Sequence, residues 1–323
     1  MSVNWVSLNS SEINHLLVFL FLKKRDSEQA GPDWEALEER FPFDPDQYNS
    51  LNNLTFALET RFNKYGDPKD LEEIIQCYRE AVELFPAHHP LWFDHLHKLA
   101  YWLSTRFDKT GEFNNLEETI RYDQELLELR PPLHPNRSYS LNNLGNGLLK
   151  WFQQKQDFED LEESIWCLQE AVELRPPPHP GRPASLDSFG TAWYMWFSHT
   201  GDFEDLEESV RCYRESLGLV LAPDPRWLHS LHNLANVLST RFKKKGNFED
   251  LDEYIRCLGE ALELSSSPHP DRSRWLNLLG TAFSTRFKEK GDREDLDESI
   301  RCHREALELK PTWGRCRWRW RQC

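Results

Sequence analysis

The residues best equipped for chemistry recur at a single interval. Cys77, Cys167, Cys212, Cys257 and Cys302 fall in register at multiples of 45 residues, and His89, His134, His179 and His269 each precede a proline. Thiols and imidazoles are the usual zinc ligands, and cysteines within reach of one another form disulfides. The register argues against both, because equivalent helices of stacked units pack about 8–10 Å apart, beyond the roughly 7 Å between Cα atoms that a disulfide tolerates. These cysteines are expected as small buried residues of a reduced, cytoplasmic protein, with no metal site. Acid pairs such as Glu162-Glu163 recur as helix-surface charge, and no phosphate-binding glycine loop, GxSxG, HExxH or CxxC is present. No catalytic residue and no cofactor are expected.

The interval itself sets the architecture. The stretch Asp202 to Arg226 returns along the chain without insertion or deletion, and Phe62, Phe107, Phe152, Phe197, Phe242 and Phe287 stand 45 apart. A fixed period of about 20–50 residues marks a solenoid, a propeller or an array. Both halves of the unit are helical. Leu141, Leu144, Gly145, Leu148 and Phe152 form one apolar stripe at helical spacing, and Leu161, Ile165, Leu168, Ala171 and Val172 form another. Gly66, Gly111, Gly201, Gly246 and Gly291 sit four residues past the repeated Phe, where a helix end takes a left-handed residue; Gln156 stands there in the third unit. Acids such as Asp202, Glu204 and Asp205 open the next helix at the positive end of its dipole. Lys243, Lys244 and Lys245 close the helix before it. Pro86, Pro131, Pro176 and Pro311 end the second helices.

Leu279-Gly280 with Phe283, followed by Ile300, His303, Ala306-Leu307 and Pro311, resembles the tetratricopeptide repeat signature, and the match recurs in six units. The unit is longer than the standard repeat, the excess lying between the helices and in the Pro-rich linker. The phrases LNNL at Leu51 and Leu141 and LHNLAN at Leu231 are similar to the long-period repeats of kinesin light chains and to the arrays preceding caspase-like CHAT peptidase domains of fungal proteins. The resemblance implies an all-α solenoid, a right-handed superhelix of six helix-turn-helix repeats over residues 46–311. It implies a non-catalytic scaffold that binds a protein or peptide. The alternative is the recognition portion of a CHAT-type peptidase whose catalytic domain lies outside this chain, since no such domain fits after Pro311.

Composition sets the remaining bounds. Hydrophobic residues are 39% and aromatics 13%, enough for a continuous core, while the net charge of −15 argues against nucleic acid, whose phosphates select Lys and Arg. Residues 1–45 are non-repetitive. Their apolar run, Ile13 to Leu22, is too short to span a bilayer, which takes about 20 residues; it is expected either to cap the first repeat, the favoured reading, or to touch a membrane surface. Residues 35–45 echo the close of a unit. The tail 312–323, four arginines interleaved with tryptophans, is expected to be a disordered tail or an apron over the last helix, with contact to phosphate or an anionic membrane as the alternative.

Binding is expected on the first helices. Opposite the core stripe lie Asn143, Asn146 and Lys150, with Asn53, Asn233 and Asn236 at matching positions. Each Asn side chain both donates and accepts, as a peptide backbone requires. In the arrays that this chain resembles, such asparagines line the concave groove. Units two, four and six carry Lys98, Ser188 and Leu278 instead. A second candidate arises where Arg61, Arg106, Arg241 and Arg286 give way to Trp151 and Trp196. With Tyr194 and Met195 these form either an exposed aromatic patch or part of the core, and solvent accessibility decides between them.

Overall fold

Each unit begins with a helix whose apolar stripe needs a partner, and the second helix supplies it. The computed structural model describes residues 45–85, 89–220, 225–264 and 271–309. The expected capping run, the echo at 35–45, Pro86, His269, Pro311 and the tail 312–323 lie outside the described residues. The described chain is an all-α solenoid of six helix-turn-helix repeats.

Two compact units divide between His134 and Pro135. The first holds α1 (Pro45–Tyr65), α2 (Pro68–Leu84), α3 (Pro90–Thr110) and α4 (Phe113–Glu128). The second holds α5 (Arg137–Lys155), α6 (Phe158–Glu173), α7 (Arg182–Thr200), α8 (Phe203–Leu219), α9 (Pro225–Lys245), α10 (Phe248–Leu264), α11 (Arg272–Lys290) and α12 (Arg293–Glu308). Within each unit every helix packs on the next. In the second, the first helices α5, α7 and α9 also touch in succession.

The repeated residues explain the pairing. Gly145 of α5 lies so close to α6 that a Cβ there would come within 2.6 Å of Leu168 Cγ. Ser164 Oγ of α6 donates to the Gly145 carbonyl at 2.7 Å, and Ser209 with Gly190, and Ser299 with Gly280, repeat that bond. Around this contact Leu141, Leu161, Leu168 and Ala171 are fully buried. Each buried leucine stabilises by about 1.5–3 kcal/mol. All five repeated cysteines are free and buried, and burial pushes the Cys167, Cys212 and Cys257 thiols up to about 12.

The helix ends follow the expected chemistry with two refinements. Asp67, Asp157, Asp202 and Asp292 accept from the backbone N–H two residues on, as N-caps do. The left-handed position holds at all five glycines, and Gln156 adopts it too, at φ 59°. The second helices end at Leu84, Glu128, Glu173 and Glu308, ahead of the prolines expected to stop them. The residue before a proline avoids helical backbone, so the halt comes earlier. The linker histidines act locally. His89 Nδ1 accepts from Leu91 N at 3.1 Å, and His179 Nδ1 from Gly181 N at 3.0 Å.

The acids of the second helices are not only a solvated face. Asp70, Asp250 and Asp295 are buried, and each receives a forked guanidinium from an arginine nine residues earlier: Arg61, Arg241 and Arg286. Arg106 makes the same fork to Asn115. Arg241 and Arg286 also reach the preceding repeat, at Glu207 and Asp252, where Lys245 and Lys290 join them. Arg137, Arg182 and Arg272 tie the start of their first helices to Glu170, Glu215 and Glu305.

Candidate functional site

The helical wheel that buries Leu141, Leu144 and Leu148 turns Asn146 and Lys150 the other way, and stacking repeats this on α7 and α9. The result is an open groove of about 630 Å³ in the second unit. Asn146, Leu149, Lys150 and Gln153 of α5 line it, then Ala184, Asp187, Ser188 and Thr191 of α7, then Arg226, His229 and Asn233 of α9. All but Leu149 and Ala184 are polar. The volume falls in the range of about 300–1,000 Å³ that small-ligand sites span.

Of the five asparagines singled out by sequence, the groove brings together Asn146 and Asn233. Asn146 Nδ2 donates to the Asn142 carbonyl at 2.8 Å, and Asn233 Nδ2 meets His229 Nε2 at 3.0 Å. Asn143 is half-buried and is not part of this lining. Asn236 is half-buried, its Nδ2 3.1 Å from His232 Nε2. Asn53 is exposed on α1 in the first unit.

A polar column links successive first helices, and through Asp187 it reaches the groove lining; the sequence pattern did not mark it. Ser185 Oγ of α7 donates to Asn142 Oδ1 of α5 at 2.8 Å. One repeat on, Ser230 Oγ of α9 donates to both carboxylate oxygens of Asp187, at 2.9 and 2.7 Å. One further, Trp275 Nε1 of α11 donates to His232 Nδ1 at 3.3 Å. Each bond spans 43 residues, so the signal was a polar column at 142, 187 and 232 answered by 185, 230 and 275. Asp187 is only 7% exposed. Burial raises its carboxyl pKa, against the hydroxyls of Ser230 and Ser216 and the charges of His229 and Arg226.

The aromatic candidates do not form one exposed patch. Trp151, Tyr194, Met195 and Trp196 are all half-buried. Met195 and Trp196 pack against the α5–α7 core around Phe152, Leu161 and Phe189. Tyr194 faces the next core, and its hydroxyl lies 3.0 Å from Thr240 Oγ1 of α9. Lys155 Nζ stands 5.5 Å over the Trp151 ring. Helix periodicity accounts for this, since residues 194 and 196 point about 200° apart around α7.

No protein-family model matches this chain, and no curated protein matches it. Solved structures do. Pseudomonas aeruginosa PilF is similar at a TM-score of 0.50 with 15% identity, over 81% of this chain and 95% of that one. The fold is that of a tetratricopeptide-like repeat protein. Other similar structures are the nearly identical TPR-like repeats of a kinesin light chain from Podosopora anserina and YrrB, a TPR protein with an unusual peptide-binding site. The first has TM-score 0.46 and 19% identity, covering 68% of this chain and 98% of that one. YrrB has TM-score 0.44 and 15% identity, covering 72% and 96%. Among the described residues of this TPR-like array, no helix is long and apolar enough to cross a membrane.

Proposed function

We propose that this chain is a non-catalytic scaffold whose second unit binds an extended segment of a partner protein between α5, α7 and α9. The observation that carries the reading is the groove itself: three successive first helices, each touching the next, line it with eleven residues of which nine are of polar type, and the Asn, Ser, Thr and Gln side chains among them suit a peptide backbone. Asp187 of the lining is held by Ser230 of the next repeat, so that carboxyl is oriented before a ligand arrives, which lowers the entropic cost of binding.

The reading predicts modest affinity spread over several repeats, since each neutral hydrogen bond contributes only about 0.5–1.5 kcal/mol net. A peptide selected by display against the full chain serves as the probe. Replacing Asn146 and Asn233 together by Ala should weaken it about tenfold, roughly 1.4 kcal/mol, while leaving helical content unchanged. Replacing Glu173, exposed on α6, by Gln should leave affinity as it was. The opposite pattern, binding lost with Glu173 and kept without the two asparagines, would place the partner on the outer helices.

A further inference from the structure

Burial at the repeat junctions shows what each helix needs from its neighbour. The first helices α3, α7, α9 and α11 each follow a second helix of their own unit. On all four, the positions of Ser50, Leu54 and Ala57 are buried, as in Ser185, Phe189 and Ala192 of α7 or Ser230, Leu234 and Val237 of α9. On α1 the three are exposed. Leu54 is 42% exposed, against at most 6% for Leu99, Phe189, Leu234 and Leu279. With Arg61 these residues fall at i, i+4, i+7 and i+11, a single stripe along the helix.

The last described helix, α12, is open in the complementary way. The second helices α2, α6, α8 and α10 are each followed by a first helix of their own unit, and their Leu71, Leu161, Leu206 and Leu251 are at most 2% exposed. Leu296, in the same position, is 36% exposed, and Ile300 and Leu307 are exposed with it. The ends of a solenoid that meet only water carry polar residues. Leu54 and Ala57 at one end, and Leu296, Ile300 and Leu307 at the other, are apolar.

Polar columns name the occupant. At internal junctions a first-helix arginine reaches an acid 34 residues back: Arg106 to Glu72, Arg241 to Glu207 and Arg286 to Asp252. A second-helix arginine reaches a glutamate 39 residues on: Arg79 to Glu118 and Arg214 to Glu253. A serine donates 43 residues back, from Ser185 to Asn142. When the 45-residue register is carried past α12 into the α1 of another copy, each column meets its matching residue type. Asp297 faces Arg61, Arg304 faces Glu73, and Asn277 faces Ser50. The helix itself does not require Arg304, whose column holds Gln169 and Gly259 in other repeats.

We propose that copies of this chain stack head to tail, the open face of α12 on one copy receiving the open stripe of α1 on the next. The joint repeats the junction that the chain builds between its own repeats, with apolar positions covered and the same three polar columns closed. Such a contact is heterologous, so association runs past two copies, into a ring or an open row. None of these residues lines the groove, so this proposal and the groove reading fail separately.

Sedimentation equilibrium of the full chain tests it. The weight-average mass should rise with concentration beyond that of two chains. Arg304 and Glu73 are both exposed, so reversing either charge leaves the fold intact, as melting temperature will verify. Arg304→Glu or Glu73→Arg, by setting like charges against each other at the joint, should each weaken association at least about tenfold. Mixing the two variants should restore it, because every mixed joint again pairs opposite charges. Leu307→Lys should weaken association without lowering the melting temperature. A chain that stays single at every concentration would overturn the proposal, and if Leu307→Lys then lowers the melting temperature, the face is covered by a segment of the same chain. Association that survives both charge reversals, or that the mixture does not restore, would mean that copies meet through other surfaces and equally overturn it.

Discussion

Asp123 shows what one residue costs when a repeat departs from its sisters. Its position in the second helix holds Tyr78, Leu168, Tyr213, Leu258 and His303 elsewhere, all large side chains filling the contact with the first helix. Asp123 is 1% exposed, and its Oδ1 has no hydrogen-bond partner. Burial pushes its pKa up to about 8, against the pull of Arg130. The unfolded carboxyl titrates near 3.9. Between those values the folded state holds a proton that the unfolded state has released, so stability falls as pH rises from about 4 to about 8. Asp123→Leu recreates the pairing of Leu258 with Ala235, because Ala100 occupies the matching place on α3. This change should stabilise the chain by about 2 kcal/mol at pH 8, and the gain should shrink toward pH 5 in calorimetric melts. A gain independent of pH would show that Asp123 is ionised in the folded state. Gln156 is a milder case. Its left-handed backbone costs about 1 kcal/mol, but its Nε2 donates to the Phe152 and Gln153 carbonyls, closing the helix end that glycine closes elsewhere. Gln156→Gly should therefore raise the melting temperature only by about 1 °C. A decrease would mean that the side-chain cap outweighs the strain.

At the scale of elements, the helices were legible because the signals that specify them are local. Apolar spacing, acidic N-caps and left-handed glycines are each written within a few residues, and the structure places helices where they indicate. The links between elements were harder to read. The fork from Arg241 to Asp250 crosses a helix turn, and the bond from Ser230 to Asp187 crosses a repeat, so neither belongs to any local pattern. They become visible only when repeats are aligned and columns are compared for partners. For the groove, Asn146 and Asn233 were evident in the sequence, but the polar column that reaches it at Asp187 was not. Ser185 and Ser230 sit in an otherwise apolar stripe and resemble small core residues. The forks themselves invite a test. Arg241 is 9% exposed as a side chain and Asp250 is 2% exposed, so removing the arginine leaves a buried carboxylate. Arg241→Ala should cost about 3 kcal/mol in denaturant melts. Arg61→Ala should cost less, because that arginine is 57% exposed and water can take its place. Equal losses at the two sites would mean that burial does not govern the forks.

For the whole molecule, the 45-residue period runs through His134 and Pro135 without an insertion, so spacing does not mark the division between the two compact units. What distinguishes the second unit is self-sufficiency. Its groove lining, the serine column and the forks of Arg241 and Arg286 all involve residues beyond Pro135. In a solenoid, stability is close to a sum of repeat terms and nearest-neighbour terms, so an array that keeps its interfaces keeps its fold when shortened. Four repeats exceed the minimum of about three that such arrays need. A chain reduced to residues 135–323 should therefore remain helical by circular dichroism and melt cooperatively. It should bind the display-selected groove peptide within about twofold of the full chain, a difference of roughly 0.4 kcal/mol. If the shortened chain folds and the peptide no longer binds, the recognition surface extends into the first unit, and Asn53 on α1 becomes the next position to replace.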